Sequence, residues 1–161
     1  MEQAFYVKIY QDRVISMLLK YITRKHQNNS LLDLSFDFTN DYYKWTRYKI
    51  KKVVSLNANL PHVIEAIRRF SNKQLDYKYY HIRIGDLYTK TLLIKSEMFT
   101  KFDNINLKYS LNYYFKNENL MTLFQDLKNR IKPGGHIIGC FLNIDVIKTL
   151  LKDEDTFTND I

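Results

Sequence analysis

Five short apolar runs alternate with segments of helical period along this chain, and that alternation points to a parallel sheet covered by helices. The runs are Leu31–Leu34, Val53–Leu56, Tyr79–Ile84, Phe102–Leu107 and His136–Leu142. Ahead of them, residues 4–23 place Phe5, Ile9, Val14, Met17, Leu18, Tyr21 and Ile22 close to helical spacing. Tyr42, Trp45 and Tyr48 line a short helix led by Asp41. Asn59 suits an N-cap and Pro61 a first turn, for a helix whose apolar face is Val63, Ile64, Ile67 and Phe70. A helix near Leu92–Met98 follows, then a stripe of Leu120, Leu123, Phe124, Leu127 and Ile131, a Pro133-Gly134-Gly135 turn and a helix over Asn143–Leu151. The acidic stretch 153–161 reads as a frayed tail. Right-handed crossovers and a central first strand predict an α/β fold of strand order 3-2-1-4-5, helices on both faces, and a ligand crevice at the C-terminal strand ends. The loops at Ser35–Asn40, Asn57–Leu60 and Gly85–Leu87 converge there, with Lys108–Tyr114 opposite.

The 161 residues are predicted to form one domain, with a core at 31–143. A hydrophobic content of 45% and an aromatic content of 15% are those of a packed globule. No apolar run reaches a membrane span and residues 1–13 lack a signal-peptide core, so the expectation is an intracellular chain with no membrane partner. Its compartment is then cytoplasm or nucleus, or a virus factory or virion for a viral source. One cysteine, Cys140, leaves no internal disulfide and no cysteine-based zinc site. The net charge of +8 favours a polyanion such as RNA. Abundant Lys, Asn, Ile and Tyr also fit AT-rich coding, which raises lysine without functional pressure.

Leu31–Trp45, LLDLSFDFTNDYYKW, is a strand that stops, turns and enters a helix. Helix starts after strands offer unpaired N–H groups to ligands, usually through glycines that let the backbone approach. This turn has no glycine.

These segments together resemble S-adenosylmethionine-dependent methyltransferases, and within them the mRNA cap (guanine-N7) methyltransferases. The family's first motif, approximately LDLGCGKGGDL-x-KW, is matched at its ends by Leu32, Asp33, Leu34, Asp41, Lys44 and Trp45. A later motif, approximately FD-x-x-x-x-QF-x-x-HY-x-F, finds Phe102, Asp103, Tyr113 and Phe115. The signature L-K-P-GG-x-x-IG appears over Ile131–Gly139 as IKPGGHIIG. The departures are equally specific. The family's glycines fall on Ser35, Asp37, Thr39 and Asn40; its acidic ribose-binding residue falls on Asn57; its Gln and His fall on Lys108 and Asn112. Overlaying the N-terminal helix puts Ile15 where the family has Lys.

The resemblance implies a Rossmann-like methyltransferase fold, S-adenosylmethionine as cofactor and capped RNA as substrate. It implies cofactor contacts from Asp33, Ser35, Asp37, Asn57, Asp86, Leu87 and Lys108, and cap or RNA contacts from Asn112, Tyr113 and Phe115. Five of these have a plainer reading: Asp33 as a local backbone cap, Asn57 as a helix cap, Lys108 as a solvated lysine, and Tyr113 and Phe115 as packing aromatics. His26, His62, His81 and His136 have no metal spacing. The family's antiparallel strand pair after the fifth strand finds only a helix and a tail here. A pared-down or partial domain is therefore expected, its sheet edge closed by another chain or a covering segment, with other capping-enzyme domains or subunits as the protein partners the resemblance implies. Two functions follow: cap guanine-N7 methyl transfer, or a methyltransferase-like module without catalysis that binds RNA or stabilises a capping complex.

Overall fold

The computed structural model describes residues 2–24, 29–34, 41–57, 59–71, 80–84, 101–108, 120–140 and 145. Its elements are α1 (Glu2–Thr23), β1 (Ser30–Asp33), α2 (Tyr42–Arg47), β2 (Lys52–Asn57), α3 (Leu60–Ser71), β3 (Tyr80–Ile84), β4 (Phe102–Asn106), α4 (Leu120–Arg130) and β5 (Ile131–Ile138). The sheet has five strands in the order β3-β2-β1-β4-β5, every neighbouring pair parallel. This is the predicted order. The expected helices near 92–98 and over 143–151, apart from Asp145, lie outside the described residues, as does the tail 153–161.

Strand residues alternate between two cores. Leu31 and Val53 pack with Ile15, Leu19 and Ile22 of α1, Trp45 of α2 and Val63 and Ala66 of α3. Leu32, Leu34, Val54 and Ile105 pack on the other face with Leu123 and Leu127 of α4. Three helices thus cover one face and α4 the other. Full burial of each such aliphatic side chain contributes about 1.5–3 kcal/mol.

Three predicted stripes coincide with the buried ones only in part, sharing Ile22 on α1, Val63 on α3, and Leu123 and Leu127 on α4. On α1 the buried set is Ile15, Leu19 and Ile22, while Met17 is 68% and Tyr21 56% exposed. On α3 Val63 and Ala66 are buried, but Ile64 and Ile67 are exposed. On α4 Phe124 turns outward beside the buried Leu123 and Leu127. Apolar side chains are frequent enough here that several lie beside the true contact stripe, and spacing alone does not separate them.

The expected Pro133-Gly134-Gly135 turn lies inside β5. Ile131 pairs with Phe102 and His136 with Asn104, so residues 132–135 bulge opposite Asp103 alone. Gly134 takes φ 75°, a left-handed value that suits glycine. A Cβ on Gly135 would lie 2.7 Å from the Asp103 carbonyl oxygen. The strand starts five residues earlier than the alternating pattern suggested, because the bulge interrupts that pattern.

Helix α2 closes in a Schellman turn. The N–H of Ile50 donates to Trp45 O at 2.9 Å and that of Lys49 to Thr46 O at 3.0 Å. Lys49 holds the left-handed position at φ 55°, and Ile50 packs in the same core as Trp45.

Candidate functional site

The connection from β1 through α2 to β2 runs on one face, and that from β4 to β5 carries α4 on the other. The C-terminal ends of β1 and β4 therefore border the crevice where such sheets bind ligands. Three buried polar side chains cross it in register: Asp33 on β1 aligns with Ser55 on β2 and Asn106 on β4. Asn106 donates from Nδ2 to Asp33 Oδ1 at 3.2 Å, and its own oxygen accepts the Lys108 N–H at 3.2 Å. The Ser55 hydroxyl is buried with no hydrogen-bond partner among the described residues. A polar row in the middle of a sheet costs burial energy that apolar residues would avoid. It marks this end of the sheet as something other than core.

Above that row sits a buried ion network. Asp41 is the N-cap residue of α2 but its side chain makes no cap bond; its carboxylate instead accepts from Lys44 Nζ at 2.6 Å and from Lys108 Nζ at 3.0 Å. Lys44 also reaches Asp12 of α1 at 2.8 Å. Lys44 and Asp41 side chains are each 1% exposed. Burial works to lower the Lys44 pKa, but the Asp41 charge and the hydrogen bonds to Asp12 and Asp41 outweigh it and hold the ammonium above its ordinary value. Lys108 follows β4 and Asp41 follows β1, so their ion pair spans the crevice.

The remaining predicted position on this edge is Asn57, at the end of β2. Its Oδ1 accepts the Asn59 N–H at 2.7 Å, forming an Asx turn. Asn59 in turn caps α3, accepting from His62 N–H at 3.2 Å as its position predicted.

At the opposite end of the sheet, Asp103 fastens three strands. Its carboxylate accepts from Ser30 N–H at 2.9 Å, from Ser30 Oγ at 2.6 Å and from Lys132 Nζ at 3.0 Å. Burial raises the Asp103 pKa, while the Ser30 hydroxyl and Lys132 lower it further, leaving the carboxyl below its ordinary value.

The structure thus brings Asp33, Asn57 and Lys108 to one edge. Lys108 is not the solvated lysine of the plainer reading, since it is 6% exposed and ion-paired. Ser35, Asp37, Asp86, Leu87, Asn112, Tyr113 and Phe115 lie outside the described residues. Ile15, at the family's lysine position, is fully buried in the α1 core. Ser55 and Asn106 were missed. The Asn-Ile-Asn alternation of β4 carried a signal, because polar residues alternating inside a central strand seldom serve packing. Among the described residues no group of His, Cys, Asp or Glu could hold a metal ion, and no helix is long and apolar enough to cross a membrane.

The sequence pattern of the mRNA (guanine-N(7))-methyltransferase domain family matches residues 2–161. The chain belongs to that family. No curated protein matches it. Among solved structures, the domain is similar to the N-methyltransferase NodS from Bradyrhizobium japonicum WM9, with TM-score 0.65 and 13% identity over 86% of this chain and 72% of that one. The PH0226 protein from Pyrococcus horikoshii OT3 gives TM-score 0.67 and 19% identity over 94% and 66%. The plantazolicin methyltransferase BpumL, solved with a pentazolic desmethylPZN analogue and SAH, gives 0.66 and 14% over 91% and 52%. The domain spans about half to seven-tenths of these structures, and the likeness establishes the methyltransferase fold.

Proposed function

We propose that this domain binds S-adenosylmethionine at the β1–β4 crevice and directs its methyl group to N7 of the guanine cap of RNA. The observation that supports this is the mixed charge of the crevice in a chain of this family: carboxylates at Asp33 and Asp41 beside the Lys108 ammonium. A methionine zwitterion carries one ammonium and one carboxylate, so this donor set fits that end of the cofactor. Asn57, one strand over, has the amide that would meet ribose hydroxyls. The bound cofactor supplies a methyl group activated on a sulfonium. The residues of the chain orient and exclude water, since guanine N7 offers its own lone pair and needs no general base. The proposed partners are capped RNA and neighbouring capping-enzyme domains or subunits.

A second reading has its own support. The Asn57 oxygen is spent on Asn59, and the Lys108 charge is already matched by Asp41. Both features favour a methyltransferase-like module that binds RNA or stabilises a capping complex without catalysis. Calorimetric titration with SAH separates the two. Submillimolar binding that tightens about fivefold in Asn57→Asp supports methyl transfer, because a carboxylate keeps the Asx turn and adds charge-assisted bonds to hydroxyls. Absent SAH binding in both proteins, with capped RNA still retained, supports the module.

A further inference from the structure

A second surface lies on the outer side of α1 and α2, linked to the crevice through the Asp12–Lys44–Asp41 ion pairs. Between these helices runs an open groove of about 520 Å3, lined in part by Arg13, Lys20, Arg47, Tyr43, Tyr48 and Met17. This falls within the size of small-ligand sites, roughly 300–1,000 Å3. Three features set its chemistry. Arg13, Lys20 and Arg47 are exposed, and no carboxylate pairs with them among the described residues. Among the described residues the one acid in the lining, Asp12, is paired with the buried Lys44. The apolar part of the described wall is Ile9, Met17 and the rings of Tyr43 and Tyr48, with Tyr43 42% and Met17 68% exposed.

We propose that this groove binds single-stranded RNA, with the three cations on phosphates and Tyr43 stacking a base. A strip of cations alongside an aromatic platform is how proteins hold single strands without reading sequence. The chain's charge of +8 supplies the long-range attraction. A membrane surface is the poorer fit, because the cations line a concavity, whereas interfacial helices present a convex apolar face. The site is independent of cofactor binding and of the cap, and stands whichever reading of the crevice holds.

The test is fluorescence anisotropy of the full chain with an uncapped, dye-labelled oligouridylate of roughly 12 nucleotides, titrated over a range of salt. Arg13→Gln with Arg47→Gln removes two phosphate contacts, so the slope of log affinity against log salt should become shallower by about 1.4. Affinity at low salt should drop by about tenfold or more. Lys101→Gln with Lys128→Gln, exposed positions outside the groove lining, makes the same charge change and should weaken binding far less. Tyr43→Ala should weaken binding several-fold with the slope unchanged, because stacking releases no counterions. Equal losses in the two double variants would overturn the proposal. So would absent oligonucleotide binding, and co-sedimentation with phosphatidylserine vesicles in that case would assign the groove to an anionic membrane.

Discussion

Replacing Lys44 by Met tests whether the buried ion network holds the fold. Methionine keeps most of the unbranched side chain, ending one atom short of the ammonium, and removes the charge. The variant loses a pair with Asp41 at 2.6 Å, both groups 1% exposed, and a pair with Asp12, whose side chain is 37% exposed. Breaking a fully buried pair costs about 3–5 kcal/mol, mostly from the charge left behind. Here Asp41 keeps Lys108 at 3.0 Å, and Asp12 has water available. The lower end of the range applies, about 3 kcal/mol. For a domain of this size that lowers Tm by about 6–12 °C. The assay is urea unfolding followed by Trp45 fluorescence, since Trp45 is the chain's single tryptophan and is 1% exposed in the adjoining core. The folded pKa of Lys44 lies above its ordinary 10.5, so its contribution is complete below that pH and is lost only as pH climbs through the raised value. The cost should therefore be the same at about pH 6 and about pH 9. A cost under about 1 kcal/mol, the level of a solvated surface pair, would refute the reasoning.

Three other outcomes follow from the same structure. Asp103→Asn should cost about 2 kcal/mol at neutral pH, from weakened bonds to Ser30 and Lys132. Because the folded carboxyl sits below its ordinary 3.8, the wild-type advantage exists above that pH and should shrink as pH falls through the depressed value, as acid unfolding curves would register. Gly135→Ala should destabilise by about 1–3 kcal/mol, since its Cβ would meet the Asp103 carbonyl that shapes the bulge; an unchanged urea midpoint would exclude that contact. Lys49→Gly should stabilise by roughly 0.5 kcal/mol, the relief of a left-handed lysine less the extra chain entropy of glycine, and a lowered midpoint would contradict it.

The strand order was readable because it depends only on where apolar runs and helical segments alternate, and all five strands formed in the predicted sequence. Helix phase was not. Met17 and Tyr21 fit a stripe on spacing, but Ile15 and Leu19 face the sheet. The start of β5 was hidden as well, because Pro133-Gly134-Gly135 reads as a terminating turn unless Asp103 is seen to fold the strand around itself. At the crevice, Asp33 and Asn57 stood out at strand ends, whereas the partnership of Lys108 with Asp41 spans 67 residues and leaves no local mark.

The positions that match the family pattern and those that depart from it do different work. Leu32 and Leu34 pack against α4, Trp45 fills the other core, Asp41 and Lys44 pair in the interior, and Asp103 with Lys132 fastens β4 to β5. Each of these matches is explained by the fold with no ligand present. Asn57 and Lys108, the described departures, lie at the C-terminal strand ends, where the proposed function puts the cofactor. Asp33 and Asp41 are matches that also border the crevice, so constraint from folding and constraint from the proposed cofactor overlap there and separate at the remaining positions of the motifs. A chain can keep the first set and change the second while remaining recognisably of this family. Membership fixes the architecture; in the reading proposed above, affinity for the cofactor would depend on Asn57 and on the Lys108–Asp41 pair. A titration of SAH against wild type and Asn57→Asp reports on those residues directly, in a way that further likeness between sequences does not.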